Sequence, residues 1–200
     1  MNDSTSKKSL LRNLLSALRK PSTKYSLLTL LAAGFFTGIL FWGGFNTALE
    51  ATNTTEFCIG CHSMSDTVYQ EYKETVHYSN RTGVRASCTD CHVPKDFTHK
   101  MIAKVGASRD VWGELTGSIN TKEKFEAKRM EMAQNEWRKM KASDSRECRN
   151  CHSLEGMDSK KQRPSAQKKH ASAKQDGKTC IDCHKGIAHL LPKEYMEDDE

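Results

Sequence analysis

Two hundred residues allow one modest domain, or a membrane anchor with a smaller domain beside it. At 36% hydrophobic residues and a mean hydropathy of −0.70 the chain is too polar for an ordinary apolar core, and eight Cys with eight His stand out. The formal charge of +6 is concentrated in residues 1–24, where Lys7, Lys8, Arg12, Arg19, Lys20 and Lys24 oppose Asp3, so the basicity marks membrane topology and excludes a nucleic-acid face.

The basic stretch 1–24 leads into an uncharged run from Tyr25 to Phe45, YSLLTLLAAGFFTGILFWGGF. As a helix it spans roughly 31 Å at about 1.5 Å per residue, the thickness of a bilayer hydrocarbon core. Lys and Arg before it and none just after predict a single-pass anchor over 25–45, with a cytoplasmic N-terminus and the rest outside. Tyr25, Trp42 and Phe45 fall near the ends, where amphipathic rings favour the interface. The run is too long for a cleaved signal, and residues 45–50 offer no A-x-A site. Pro21 is predicted to start the helix.

Beyond the anchor the cysteines occur as Cys58-Ile59-Gly60-Cys61-His62, Cys88-Thr89-Asp90-Cys91-His92, Cys148-Arg149-Asn150-Cys151-His152 and Cys180-Ile181-Asp182-Cys183-His184. That is C-x-x-C-H four times, with no cysteine left over. Two thiols at this spacing form thioethers to the two vinyl groups of one haem, and the adjoining histidine lies under the iron as an axial ligand. Zinc sites do not require His after each C-x-x-C, thioredoxin-like chemistry wants one such pair in a βαβ context, and a disulfide inside each motif would close a minimal loop and stabilise little. Four covalent haems c are therefore predicted, and they supply much of the core of a mainly α periplasmic domain over 46–193 with little or no sheet.

The two halves of that domain resemble each other, giving di-haem units 58–92 and 148–184 around a helical insert 93–147. Fourteen residues separate His62 from His77, and ten separate His77 from Cys88; the matching gaps around His170 are seventeen and nine. His77 and His170 thus occupy corresponding places and are candidate sixth ligands, as is His189, since bis-His ligation gives low-spin electron-transfer centres. His99, at a helix start, is the weaker candidate. After the first motif Ser63-Met64 makes C-x-x-C-H-x-M, so Met64 is a candidate thioether ligand of the first haem, with His62 the alternative there and simple packing the plainer role for Met64.

Within the insert, Met101, Ile102, Val105, Val111, Trp112 and Leu115 predict a helix over 97–115 that packs on haem or membrane. Lys104 and Asp110, six residues apart, fall within about 120° of each other on it. A carboxylate there could take the proton of an oxidised quinol, although on the residues alone a solvated ion pair is the simpler role. A second helix over 120–142, with Asn120 as N-cap and Glu123 at N3, joins the two halves. Residues 156–178 are polar, and 194–200 form an acidic tail.

Together these features resemble the NapC/NirT family of membrane-anchored tetrahaem cytochromes c. The resemblance covers Pro21 to Pro192 and is carried by FWGGFNTALE, EFCIGCHSM, HYSNRTGVRASCTDCHVP, AQNEWRKMK, ECRNCH and CIDCHKGIAH, closest to the NapC branch that feeds periplasmic nitrate reductase. It implies a quinol dehydrogenase of the bacterial inner membrane, taking menaquinol or ubiquinol and passing electrons to nitrate reductase subunits or another periplasmic reductase; related anchors can pair as homodimers. It further implies that Met64 ligates the first haem, that Asp110 and Lys104 line the quinol pocket, and that His189, His170 and His77 complete the second, third and fourth haems. Many relatives have His where this chain has Lys95, which leaves His99 a minor alternative to His189. Pentahaem relatives carry a further C-terminal haem domain, and no fifth motif is present here. Two other readings are a relay without a quinol site and a terminal reductase acting at an open first haem.

Overall fold

Leu27–Ala51 form helix α1, long and apolar enough to cross a membrane. The structure, a computed structural model, describes residues 12, 13, 16, 21 and 23–197, so most of the basic stretch 1–24 and residues 198–200 of the acidic tail lie outside the described residues. Pro21 does not start the helix as predicted. The Ser26 hydroxyl accepts the Thr29 N–H at 3.2 Å and supplies the cap instead. At the far end α1 continues past Phe45, because Asn46 and Thr47 return their side-chain donors to the carbonyls of Trp42 and Gly43 at 2.8 and 2.9 Å and so remain compatible with helix. The chain divides into two compact units between Leu49 and Glu50.

The second unit is built of short helices, four of them motif-bearing, and two long ones, with no strand among the described residues. The short ones are α2 (Thr55–Cys58), α3 (Tyr69–Lys73), α4 (Cys88–His92), α7 (Arg146–Arg149) and α9 (Cys180–Cys183); α5 (Phe97–Leu115) and α6 (Lys122–Ala142) are long, and α8 (Pro164–Ala173) and α10 (Lys193–Glu197) complete the set. A π-helical turn, Met64–Val68, precedes α3. Helix α5 has the bounds its apolar spacing predicts. Asp96 caps it, accepting His99 N–H at 3.0 Å, and it ends where Ser118 N–H reaches Gly113 O at 2.8 Å. Gly117, at φ +76°, makes that left-handed reversal without a Cβ clash. The N-cap of α6 is Thr121 and not Asn120: its hydroxyl accepts Lys124 N–H at 3.4 Å, while Asn120 instead receives the Lys124 ammonium at 3.2 Å.

Only Tyr72, Ile119, Phe125, Ile181 and Pro192 are buried apolar side chains among the described residues, far too few to stabilise about 150 residues through apolar burial alone. Polar ties do part of the work. Arg129 of α6 pairs with Glu71 of α3, the guanidinium Nη1 donating at 2.8 Å, and Lys141 of the same helix reaches Asp182 of α9 at 2.8 Å. Helix α6 thus joins the two halves, as its position between them predicts. Just after it Asp144 and Ser145 both adopt left-handed φ, 52° and 50°, and the buried Ser145 hydroxyl accepts Ile181 N–H at 3.2 Å. That strained turn, costing roughly 1–2 kcal/mol per residue, docks the third motif against the fourth.

Candidate haem centres and their histidine pairs

In motifs two and four the cysteines open their helices in the same way. Ser87 and Thr179 are N-caps, and Asp90 and Asp182, the second residue between the cysteines in each case, return a carboxylate to the N-cap N–H at 2.8 Å. The pattern S/T-C-x-D-C-H is therefore a capping box built into the motif, a signal legible in the sequence that the haem-attachment pattern alone does not convey. Consecutive motifs are tied to one another. Thr89 beside Cys88 bonds Asn53 O ahead of the first motif at 3.2 Å, Arg146 ahead of the third motif reaches Asp96 after the second at 3.3 Å, and Ser145 joins the third to the fourth.

Three motif histidines face a non-motif histidine. Ring centres lie 6.2 Å apart for His92 and His189, 6.2 Å for His77 and His152, and 5.9 Å for His170 and His184. The first pair joins the residues that the resemblance assigns to the second haem. The other two run the opposite way to that assignment: His77 faces the third motif, not the fourth, and His170 faces the fourth, not the third. The cause is local. After α8 the chain turns back through Gly177, at φ +62°, with Lys178 N–H on Ala173 O at 2.8 Å, so His170 returns onto the motif that follows it. His77 belongs to the loop that Tyr72 holds, its hydroxyl lying between the carbonyls of His77 and Ala86. His99 is paired elsewhere, its Nδ1 at 2.6 Å from Asp96.

The first motif is different. His62 is exposed and lies 3.9 Å from Asp66. Met64 lines a cavity of about 300 Å³ together with His92, Asp110, Cys148, His184 and His189. Helix α5 packs on this motif through Glu114, which accepts the buried Ser63 hydroxyl at 2.6 Å. On the same helix Lys104 turns its ammonium to Thr52, 2.9 Å from the carbonyl and 2.6 Å from the hydroxyl, and partial burial lowers its pKa. Asp110 is an exposed residue at the lining of this cavity. The protein crowded round its carboxyl raises the pKa from the ordinary Asp value, outweighing the opposing charges of Arg109 and Lys139. The two residues predicted for one pocket thus have separate surroundings, Lys104 near residues 50–58 and Asp110 in the cavity with Met64 and His92.

The family profile described as NapC/NirT cytochrome c family, N-terminal region, matches residues 20–194. The chain belongs to the NapC/NirT cytochrome c family. It is 60% identical over 200 residues to the denitrification system component NirT of Stutzerimonas stutzeri, covering 100% of both chains. It is 57% identical over 192 residues to the cytochrome c-type protein NapC of Escherichia coli K12, covering 96% of each. Against the cytochrome c-type protein TorC of the same strain it is 48% identical over 183 residues, 91% of this chain and 47% of that one. No solved structure gives a significant match.

Membership of a cytochrome c family implies covalently bound haem c, and the paired histidines fit it. An iron between two imidazoles, at about 2 Å per metal–nitrogen bond and roughly 1 Å from each nitrogen to its ring centre, places the centres about 6 Å apart. His189 Nδ1 bonds Val68 O at 3.2 Å and His170 Nδ1 bonds the Gln162 side-chain oxygen at 2.9 Å, so in each the lone pair is left on Nε2. Burial, helped by the nearby His92, lowers the His189 pKa to about 4 and keeps that ring neutral. His77 Nδ1 is buried with no hydrogen-bond partner, which costs about 1–3 kcal/mol unless a ligand uses it. The supporting groups Val68 O, Gln162, Tyr72 and Glu71 carry no sequence signature; each is known only through the fold. Glu71 accepts Leu190 N–H at 2.8 Å while Arg129 donates to Leu190 O at 3.0 Å, gripping both backbone groups of the residue after His189.

Proposed function

We propose that this protein is a single-pass, membrane-anchored tetrahaem cytochrome c that oxidises quinol at the periplasmic face of the inner membrane and passes the electrons to a periplasmic reductase. The observation that carries the reading is the set of three rings pairs, each joining a motif histidine to a non-motif one, in a chain whose cysteines all belong to C-x-x-C-H motifs. Cys58 and Cys61, Cys88 and Cys91, Cys148 and Cys151, and Cys180 and Cys183 would each hold one haem through thioethers. His92 with His189, His152 with His77, and His184 with His170 would be axial ligands, and the bound haems would supply one-electron transfer. Met64 would ligate the first iron, since the exposed His62 has no facing histidine among the described ring pairs.

Asp110 is the group suited to accept a quinol proton, because its carboxyl lies in the cavity that Met64 lines and is poised above the usual Asp range. Lys104, on the same helix, is held at Thr52. The basic 1–24 stretch supports a cytoplasmic N-terminus and a periplasmic second unit. Nitrate reductase is the first acceptor to test by the NapC likeness; the name NirT supports a denitrification reductase equally. The test is anaerobic reduction of the purified protein in detergent by a menaquinol analogue, with and without a quinol-site inhibitor. Fast, inhibitor-sensitive reduction supports the dehydrogenase. Reduction by dithionite alone would leave a relay fed by another protein.

A further inference from the structure

Glu136 is a carboxylate on the inward face of α6. At about 100° per residue it lies within roughly 40° of the buried Phe125 and Arg129 on the helix wheel, and like them it lines the cavity. A carboxylate on such a face requires a partner. It has two: Oε1 lies 3.3 Å from His92 Nδ1, and Oε2 accepts the Lys139 ammonium at 3.0 Å. His189, the ring facing His92, donates to a carbonyl, and His170 meets an amide oxygen. His92 is thus set against a charged acceptor where these two rings have neutral ones.

We propose that Glu136 is a positioning residue that orients the His92 imidazole and sets the reduction potential of the centre His92 serves below that of a centre with neutral acceptors. The proposal rests on His92 being an axial ligand. A carboxylate accepting the Nδ1–H fixes the tautomer that leaves Nε2 for the iron and gives the ring imidazolate character. A more basic axial ligand stabilises the ferric over the ferrous state, so the potential falls. The geometry also fixes the ring plane, because the acceptor is anchored on the same helix that Arg129 and Lys141 tie to α3 and α9.

The test is a spectroelectrochemical titration of the full-length holoprotein in detergent, with EPR of the ferric form, comparing wild type with Glu136→Gln, Glu136→Asp and His189→Met. Glu136→Gln is expected to shift one of the titration waves to more positive potential and to change the g values of that same centre, with Glu136→Asp restoring part of the shift. His189→Met should move the same wave, which identifies the centre independently of Glu136. If His189→Met moves one wave and Glu136→Gln moves none, the role of Glu136 is overturned while the ligand pair stands. If neither variant moves any wave, the His92–His189 centre and the proposal built on it both fall.

Discussion

His77 and His152 face each other with ring centres 6.2 Å apart, although one lies between the first two motifs and the other closes the third. A ring from the first half thus meets the histidine of a motif in the second, so the two halves are interlocked rather than serially joined, and under the proposed function His77 is the ligand of the third haem. Removing it should change the third centre alone. His77→Ala is expected to give one high-spin ferric centre, His170→Ala a different one, and the double variant both. EPR and magnetic circular dichroism of the oxidised proteins check this; a wholly low-spin His77→Ala would refute the pairing.

Met64→Leu tests the first centre. With His62 exposed and Met64 lining the cavity, loss of the thioether should abolish the near-infrared band of sulfur-to-iron charge transfer and lower that centre's potential if a nitrogen ligand replaces it. An unchanged spectrum would return Met64 to packing.

Asp110→Asn should slow quinol oxidation by about 10²-fold, the lower end of what a positioned acid–base group contributes. Dithionite reduction should be unaffected. Because the working form is the carboxylate and its pKa is raised by burial, the quinol rate should fall as pH drops through that raised pKa. The Asn variant should lose this acid limb. Stopped-flow reduction across pH reads both effects, and an acid limb retained in Asp110→Asn would assign it to another group.

The Glu71–Arg129 pair has side chains only 14% and 9% exposed, so cutting one partner leaves a charge stranded. Glu71→Gln should cost about 3 kcal/mol, seen as a lowered midpoint in guanidinium unfolding followed by far-UV circular dichroism. Burial works to raise the Glu71 pKa, but hydrogen bonds from Arg129 and from Leu190 N–H hold it below the ordinary Glu value. Its contribution is complete above the unfolded-state pKa and is lost as pH falls through the lowered folded value. Glu71→Gln should flatten that acid-side loss, and an equal acid sensitivity in both proteins would show the pair to be unimportant for folding.

Much of this protein is legible in one dimension because its chemistry is local. A thioether pair needs two thiols three positions apart, and a membrane helix needs one uninterrupted apolar run, so the motifs and α1 are readable wherever they fall. Helix α5 is readable to its last residue, since its apolar spacing is short-range. The same holds for the α6 span. Its cap was misplaced by one residue because Asn120 and Thr121 are both good caps, and the choice went to the one whose hydroxyl reached Lys124 N–H.

What the tertiary structure decided is which groups meet across the chain. Spacing places His77 and His170 in matching positions of a repeat, but it carries no information on which motif each ring faces; that follows from how Tyr72 holds the 77–86 loop and how Gly177 turns α8 back. Glu136 reads in the sequence as one more charge on a polar helix. It becomes a partner of His92 only when α6 is laid across both halves and its inward face is closed. The motifs are specified by covalent geometry over a few bonds, whereas the pairing of the histidine rings is specified by long-range packing, and only the folded chain brings those distant groups together.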